Sequence, residues 1–344
     1  MKVLCTGISG IGKLEYLQAV KSWIETRSAT VKGSPQRVEI FDSGQYIREA
    51  GKDLRIEVTD KKVLDLSNLD ELRAIAFERI CCALEKEDWG ATRHALISTH
   101  ACFRWNKFMR TGFDAHYLRR LAVDVYVNIY DEASAIHRAH QGSHQWQGRL
   151  KLDEIITWRD EELFLTEVFA QFNEKPVFLV AKNEPHETLG KLISSPDSKK
   201  VYLSYPISAI QKTKPELLDN VTVCAGKLRQ RYVVFNPLSI KDLVLLPESG
   251  ASAPEREHLR QQTVWRDFKL IRQSDIVAVY YPVEENSPGV NQEIVYGYTH
   301  NKEVVLFYPK EYSLSPFWDA NMAVSKRFGN FEDWLRYLGI ENTK

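Results

Sequence analysis

Short apolar runs alternate with longer stretches of helical period along the whole chain, in two successive sets. The first half has runs at 2–6, 37–41, 95–98, 123–129 and 176–180, separated by patterned stretches such as 69–85 and 152–172. The second half has runs at 200–204, 232–235, 275–280 and 303–307, with helical stretches at 256–273 and 291–299. A bounded run of apolar residues is how a strand buried on both faces reads. Such strands joined by helices are parallel, because a parallel crossover needs a long connection. The pattern predicts an α/β chain made of two three-layer parallel-sheet domains. A length of 344 residues with 44% apolar content is enough to bury two cores. The polar, turn-rich segment Ser194-Ser195-Pro196-Asp197-Ser198 marks the boundary, giving domains over 1–192 and 199–344. Ligands of such sheets bind at the carboxyl ends of the strands, so the residues following each run are the ones to read for chemistry.

Charge narrows the partners. The chain has 46 basic and 46 acidic residues, a balance that argues against an extended nucleic-acid surface but leaves room for a small nucleotide pocket. No apolar run reaches the roughly 18 residues of a membrane span. The start, MKVLCTGISGIGK, turns glycine-rich too early for a signal peptide. Cys5, Cys81, Cys82, Cys102 and Cys224 show no metal-ligand spacing. They read as reduced thiols, and the expectation is a cytoplasmic protein without a bound metal.

The first run leads into Gly7-Ile8-Ser9-Gly10-Ile11-Gly12-Lys13 and then a helix. This is the pattern of a phosphate-binding loop in the strand–loop–helix setting the motif requires; the alternative is a glycine-rich turn that binds no nucleotide. The glycines Gly7, Gly10 and Gly12 let backbone N–H groups curl around a phosphate, the helix start adds its dipole, and Lys13 reaches the terminal phosphates. Leu14 stands where a Ser or Thr would hold magnesium, and Glu15 follows it. The expected ligand is ATP or another nucleotide, with magnesium chemistry in doubt and phosphoryl transfer left open.

Over roughly 1–190 the chain resembles the small nucleoside-monophosphate kinases, especially archaeal-type adenylate kinases, in degenerate form. The resemblance is carried by the loop, by Phe41-Asp42-Ser43-Gly44, by Ala95-Leu96-Ile97-Ser98-Thr99-His100, and by Asp131 with Ile136-His137-Arg138. It implies a monophosphate site after the second strand and a lid whose arginines clamp phosphates, with Arg138, Arg149 and Arg159 as candidates. Each arginine read alone is equally a surface charge.

The second half holds two carboxylates in telling places. Glu293 follows the turn Ser287-Pro288-Gly289, at the carboxyl end of the run 275–280, and is expected in the first turn of a helix. Asp267 precedes that run on a helix with apolar Phe268 and Ile271. Paired carboxylates suit cleavage of a sugar–heteroatom bond: one attacks or stabilises the anomeric carbon and the other moves a proton. Read singly, Glu293 is an ordinary dipole-complementing residue, Asp267 beside Arg266 a solvated helix charge, and Tyr202 a packing residue.

Their order is more specific. Over roughly 199–310 the chain resembles the nucleoside 2-deoxyribosyltransferases, including the branch that hydrolyses 2'-deoxynucleoside 5'-monophosphates. The matching pieces are Tyr202 on the first run, Asp267, Ser274-Asp275-Ile276-Val277-Ala278, Ser287-Pro288-Gly289-Val290-Asn291-Gln292-Glu293, and Asn301-Lys302 before the last run. The resemblance implies a flavodoxin/Rossmann-like domain with Glu293 as nucleophile and Asp267 as its partner. Tyr202, Ser204, Ser287, Gly289 and Asn291 would line the substrate pocket. It also implies homo-oligomers and no cofactor for the glycosidase. Asn291 and Tyr205-Pro206-Ile207 depart from the family pattern, which bears on the substrate more than on the reaction. Four functions follow: base removal or exchange on a nucleoside or nucleotide with the loop domain as regulator or specificity module, NAD cleavage in a defence or stress role, nucleotide sensing without catalysis, or an active nucleotide kinase, which Leu14 counts against. The segments 142–148 and 246–257 read as loops able to act as lids.

Overall fold

The computed structural model describes residues 1–30, 35–59, 63–105, 108–242, 251–312 and 322–340. The chain divides into two compact units, one formed by 1–195 with 240–260 and the other by 196–239 with 261–344.

The first unit runs β1 (Lys2–Thr6), α1 (Lys13–Thr30), β2 (Arg37–Asp42), α2 (Ser43–Asp53), α3 (Leu69–Glu85), β3 (Arg93–Ser98), β4 (Cys102–Trp105), β5 (Phe108–Thr111), α4 (Ala115–Leu121), β6 (Val125–Tyr130), α5 (Ala133–Gln141), α6 (Leu152–Phe172), β7 (Val177–Ala181) and α7 (His186–Ser194). Its parallel sheet has the order β2-β3-β1-β6-β7. The centre strand β1 is paired on both sides and nearly all buried, which is why its sequence Lys-Val-Leu-Cys-Thr is apolar without alternation. β4 and β5 form a separate antiparallel hairpin that the apolar runs did not announce. All four β5 residues are exposed, so that strand has no burial pattern to read.

The second unit runs β8 (Lys200–Ser204), α8 (Ile207–Thr213), α9 (Leu217–Arg229), β9 (Val233–Phe235), α10 (Ala253–Arg272), β10 (Ile276–Tyr280), α11 (Pro288–Thr299), β11 (Glu303–Phe307), β12 (Lys326–Phe328) and α12 (Phe331–Tyr337). The unit division falls inside α10, after Arg260. The sheet is parallel, in the order β12-β11-β10-β8-β9. This is the flavodoxin-like winding, whose direction reverses between β8 and β10 and opens a crevice at their carboxyl ends. Trp334 of α12 is fully buried and donates its indole N–H to the Val305 carbonyl at 3.1 Å.

Each sheet begins with the same device. Asp124 before β6 accepts the Lys2 N–H at 2.7 Å, and Asp275 before β10 accepts the Lys200 N–H at 2.8 Å. Each carboxylate thus pairs the first amide of the neighbouring strand. Asp275 therefore works at the amino end of its sheet, away from the crevice.

The cysteines Cys5, Cys81, Cys82, Cys102 and Cys224 are all free thiols. No helix among the described residues is long and apolar enough to cross a membrane.

Candidate active site

Strand β8 sets the floor of the crevice in the second unit. Side chains two apart on a strand share a face, so Tyr202 and Ser204 point the same way. Both reach Glu293. The Tyr202 hydroxyl donates to Glu293 Oε1 at 2.8 Å and the Ser204 hydroxyl to Oε2 at 2.5 Å, so each carboxyl oxygen has its own donor.

Helix α11 carries Glu293, and two features fix its position. Ser287 caps the helix, its hydroxyl accepting from the Val290 N–H at 3.4 Å, and Pro288 takes the first helical position, where no N–H is needed. Gly297, one turn beyond Glu293, lies against the sheet: a Cβ there would stand 2.8 Å from Val277 Cγ2. The missing side chain lets α11 settle close to β10 and β11. Because the helix starts at Pro288, Glu293 sits in its second turn, not its first. The turn expected over Ser287-Pro288-Gly289 is instead the cap and opening of the helix. Dipole complementarity therefore explains this glutamate less well than the two hydroxyls that hold it.

Asp267 lies near the carboxyl end of α10. Arg266 holds it, donating Nε at 3.1 Å and Nη2 at 2.9 Å to Oδ1. Read singly, Asp267 beside Arg266 was a solvated helix charge, but Arg266 is buried and the Asp267 side chain largely so. The spacing of Leu259, Gln262, Arg266 and Leu270, all buried, follows one helix face and was the signal that Arg266 turns inward. Of the two apolar residues noted on this helix, Ile271 is buried, and Phe268 stacks half-buried on Tyr296 of α11 with ring centroids 4.1 Å apart.

The charges shift accordingly. Burial, then the Asp267 charge, pushes the Glu293 carboxyl up to about 8, against the Ser204 and Tyr202 hydrogen bonds that favour the anion. Burial also raises Asp267, while Arg266 opposes the rise. Tyr202 is held well above its ordinary value by burial and by both carboxylates. A folded-state value above the unfolded one means that folding favours the protonated acid. The stability so gained is complete below the unfolded value near 4.5 and is lost as pH rises through about 8. The Glu293→Gln variant should therefore melt higher than wild type, by a margin that widens from pH 6 to pH 9; a margin independent of pH contradicts this assignment.

The remaining expected pocket residues fall around this pair in different ways. Ser287 uses its own N–H on the Tyr281 hydroxyl at 2.8 Å, so that amide is not open to a ligand. Tyr281, which no motif marks, also donates to the Glu285 carbonyl at 2.6 Å and so braces the loop before α11. Asn291 is half-buried and donates to Asn286 Oδ1 at 3.0 Å. A Cβ on Gly289 would meet nothing within 4 Å, so no close contact demands a glycine there.

In the first unit, Gly7, Gly10 and Gly12 have φ of 150°, 88° and 67°, which an L side chain rarely tolerates. Lys13 is buried and donates to the Gly7 carbonyl at 3.3 Å and to the Thr99 carbonyl. Burial lowers its ammonium to about 8 despite Glu162 and Asp42 nearby. Glu162, unremarked in the sequence, accepts the Gly7, Ala101 and Cys102 N–H groups at 2.9, 2.8 and 2.8 Å. Arg138 is exposed, and Arg149 stacks on Trp105 at 4.1 Å. Arg159 is buried against Asp242 at 2.7 Å. The expected lid over 142–148 is a series of turns pinned to the loop, with Trp146 donating to Ser9 Oγ at 3.0 Å. Of the second expected lid, 246–250 lies outside the described residues and 253–257 opens α10. A cavity of about 230 Å³ adjoins the loop, lined among others by Ser43, Arg48, Arg73, Thr99 and His100.

The sequence matches no protein-family model and no curated protein. Among solved structures the chain is similar to the 2-deoxyribosyltransferase of the psychrotolerant bacterium Bacillus psychrosaccharolyticus, with 23% identity and a TM-score of 0.30. That match covers 42% of this chain and 93% of the other. It is also similar to the CMP N-glycosidase of Clostridium botulinum, with 12% identity and a TM-score of 0.26, over 41% of this chain and 98% of that one.

Proposed function

We propose that the second unit cleaves or transfers the N-glycosidic bond of a nucleoside or nucleotide. The observation that carries this reading is Glu293, seated at a sheet crevice with a hydroxyl donating to each of its oxygens. In the first step the ionised Glu293 attacks the anomeric carbon. The carbon–nitrogen bond breaks, its electron pair leaves with the base, and a glycosyl ester forms. Water or a second base then attacks the same carbon, the ester bond breaks and the carboxylate is regenerated. Tyr202 and Ser204 orient the nucleophile. Asp267, held by Arg266 through one oxygen, has the other for a sugar hydroxyl or the proton of the base.

The first unit serves in this reading as a nucleotide-binding regulator or specificity module, with Gly7, Gly10, Gly12 and Lys13 as the loop residues. The test of the whole is chromatography of free base after incubation with deoxynucleosides, their monophosphates, ATP and NAD. Release from at least one of these is expected. Silence of the wild-type protein on every one contradicts the reading, and release from NAD alone selects the NAD-cleaving function instead.

The attacking form of Glu293 is the anion, so the rate should follow its ionisation. Below about 8 it should rise by about tenfold per pH unit and level off above. A rate flat between pH 6 and 9 contradicts this assignment of the nucleophile.

A further inference from the structure

Leu14 gives the glycine-rich loop no hydroxyl for magnesium, and β3, which lies beside β1, ends in Ser98 and then Thr99 where a metal-holding carboxylate would be expected. A polyphosphate bound there without a divalent ion would need its charge met by the protein. Lys13 supplies one cation. A second stands on the other flank of the sheet. Lys182 directly follows β7, and its N–H bonds the Tyr130 carbonyl at 2.8 Å, which ties it to the end of β6. Its side chain passes Asp131, with Nζ 3.3 Å from Oδ2, and ends at the loop. A Cβ built on Gly12 would lie 3.6 Å from Lys182 Nζ and 3.9 Å from Cε. The same point is 3.3 Å from Glu15 Oε2, a charge that would repel a phosphate.

We propose that Lys182 is the second cation of the loop site, and that with Lys13 it takes the place of magnesium for a bound nucleoside di- or triphosphate. The proposal rests on the reading of the loop as a nucleotide site. With the loop empty, Asp131 holds the ammonium in position. With a ligand present, the phosphate oxygens share it. Such a site holds its ligand and has no metal to drive phosphoryl transfer, which fits a regulatory role.

Calorimetry of the full chain with ATP in EDTA tests this. Wild type should bind, and Lys13→Ala should abolish binding. Lys182→Ala should weaken it by roughly tenfold or more, the cost of one charge-assisted contact. Lys182→Arg should retain it. Added magnesium should leave wild type unchanged but recover part of the loss in Lys182→Ala, because the metal then screens the phosphates. The pair Lys182→Met with Asp131→Asn removes both charges together and should show the same weakening if Lys182→Ala melts early. Binding by Lys182→Ala equal to wild type, with Lys13→Ala still inactive, overturns the role of Lys182 and leaves the nucleotide site standing. Failure of wild type to bind ATP, ADP or tripolyphosphate overturns both.

Discussion

Replacing Glu293 with alanine should lower base release by about four orders of magnitude or more, the scale on which removing a covalent nucleophile acts. The chain should remain folded. Glu293 is half-buried on α11, and alanine removes a charge that burial and Asp267 already disfavour. Glu293→Gln should be as inactive, because the amide keeps the shape and loses the nucleophile. Asp267→Asn should cost less, roughly a hundredfold to a thousandfold, the range of a proton-moving partner. The order of these losses identifies the roles. If Asp267→Asn is the worse of the two, the roles of the carboxylates are exchanged.

The largest effect on stability should come from Glu162→Ala in the first unit. Glu162 is almost wholly buried and one carboxylate satisfies three backbone N–H groups, at the end of β1 and in the turn after β3. Alanine leaves all three amides without an acceptor and removes the negative charge that most favours the Lys13 ammonium. Leaving buried polar and charged groups unpaired in this way costs about 3–5 kcal/mol. Glu162→Gln should recover only part of this, since an amide has one acceptor oxygen where the carboxylate uses two. Calorimetric unfolding of the full chain measures the loss. A melting curve of Glu162→Ala matching wild type would mean that this clamp does not hold the loop.

The strands and longer helices were legible because burial writes itself into the sequence. The runs 2–6, 200–204 and 303–307 and the helical stretches 69–85 and 152–172 coincide with β1, β8, β11, α3 and α6. Elements without a burial pattern were not legible. The hairpin strand β5 is exposed, and the edge strand β12 has two exposed residues of its three. The return of 240–260 to the first unit depends on Asp242 meeting Arg159 and on Leu259 packing with Ala133, Leu152 and Ile156, contacts between distant segments that no local spacing encodes.

The candidate site divides along the same line. Tyr202 and Ser204 entered as pocket residues through the resemblance, and the alternation of β8 puts both on one face; the helix after Ser287 already carried Glu293. Pro288 read as a turn because proline opens helices as readily as it ends strands, which shifted the expected helix start and put Glu293 one turn too early. Arg266 could have been found from the buried period of α10. Glu162 and Lys182 could not, because their partners are a backbone loop and a glycine far away in the chain.

A nucleophilic Glu293 must carry the sugar covalently between the two steps. Incubating the protein with a substrate found in the base-release panel, quenching it in acid and mapping the digested chain by mass spectrometry tests this. A sugar adduct should appear on Glu293, accumulate with a 2-fluoro-substituted substrate whose second step is slowed, and be absent from Glu293→Gln. Release of base with no adduct under those conditions, or an adduct on another residue, would contradict the account.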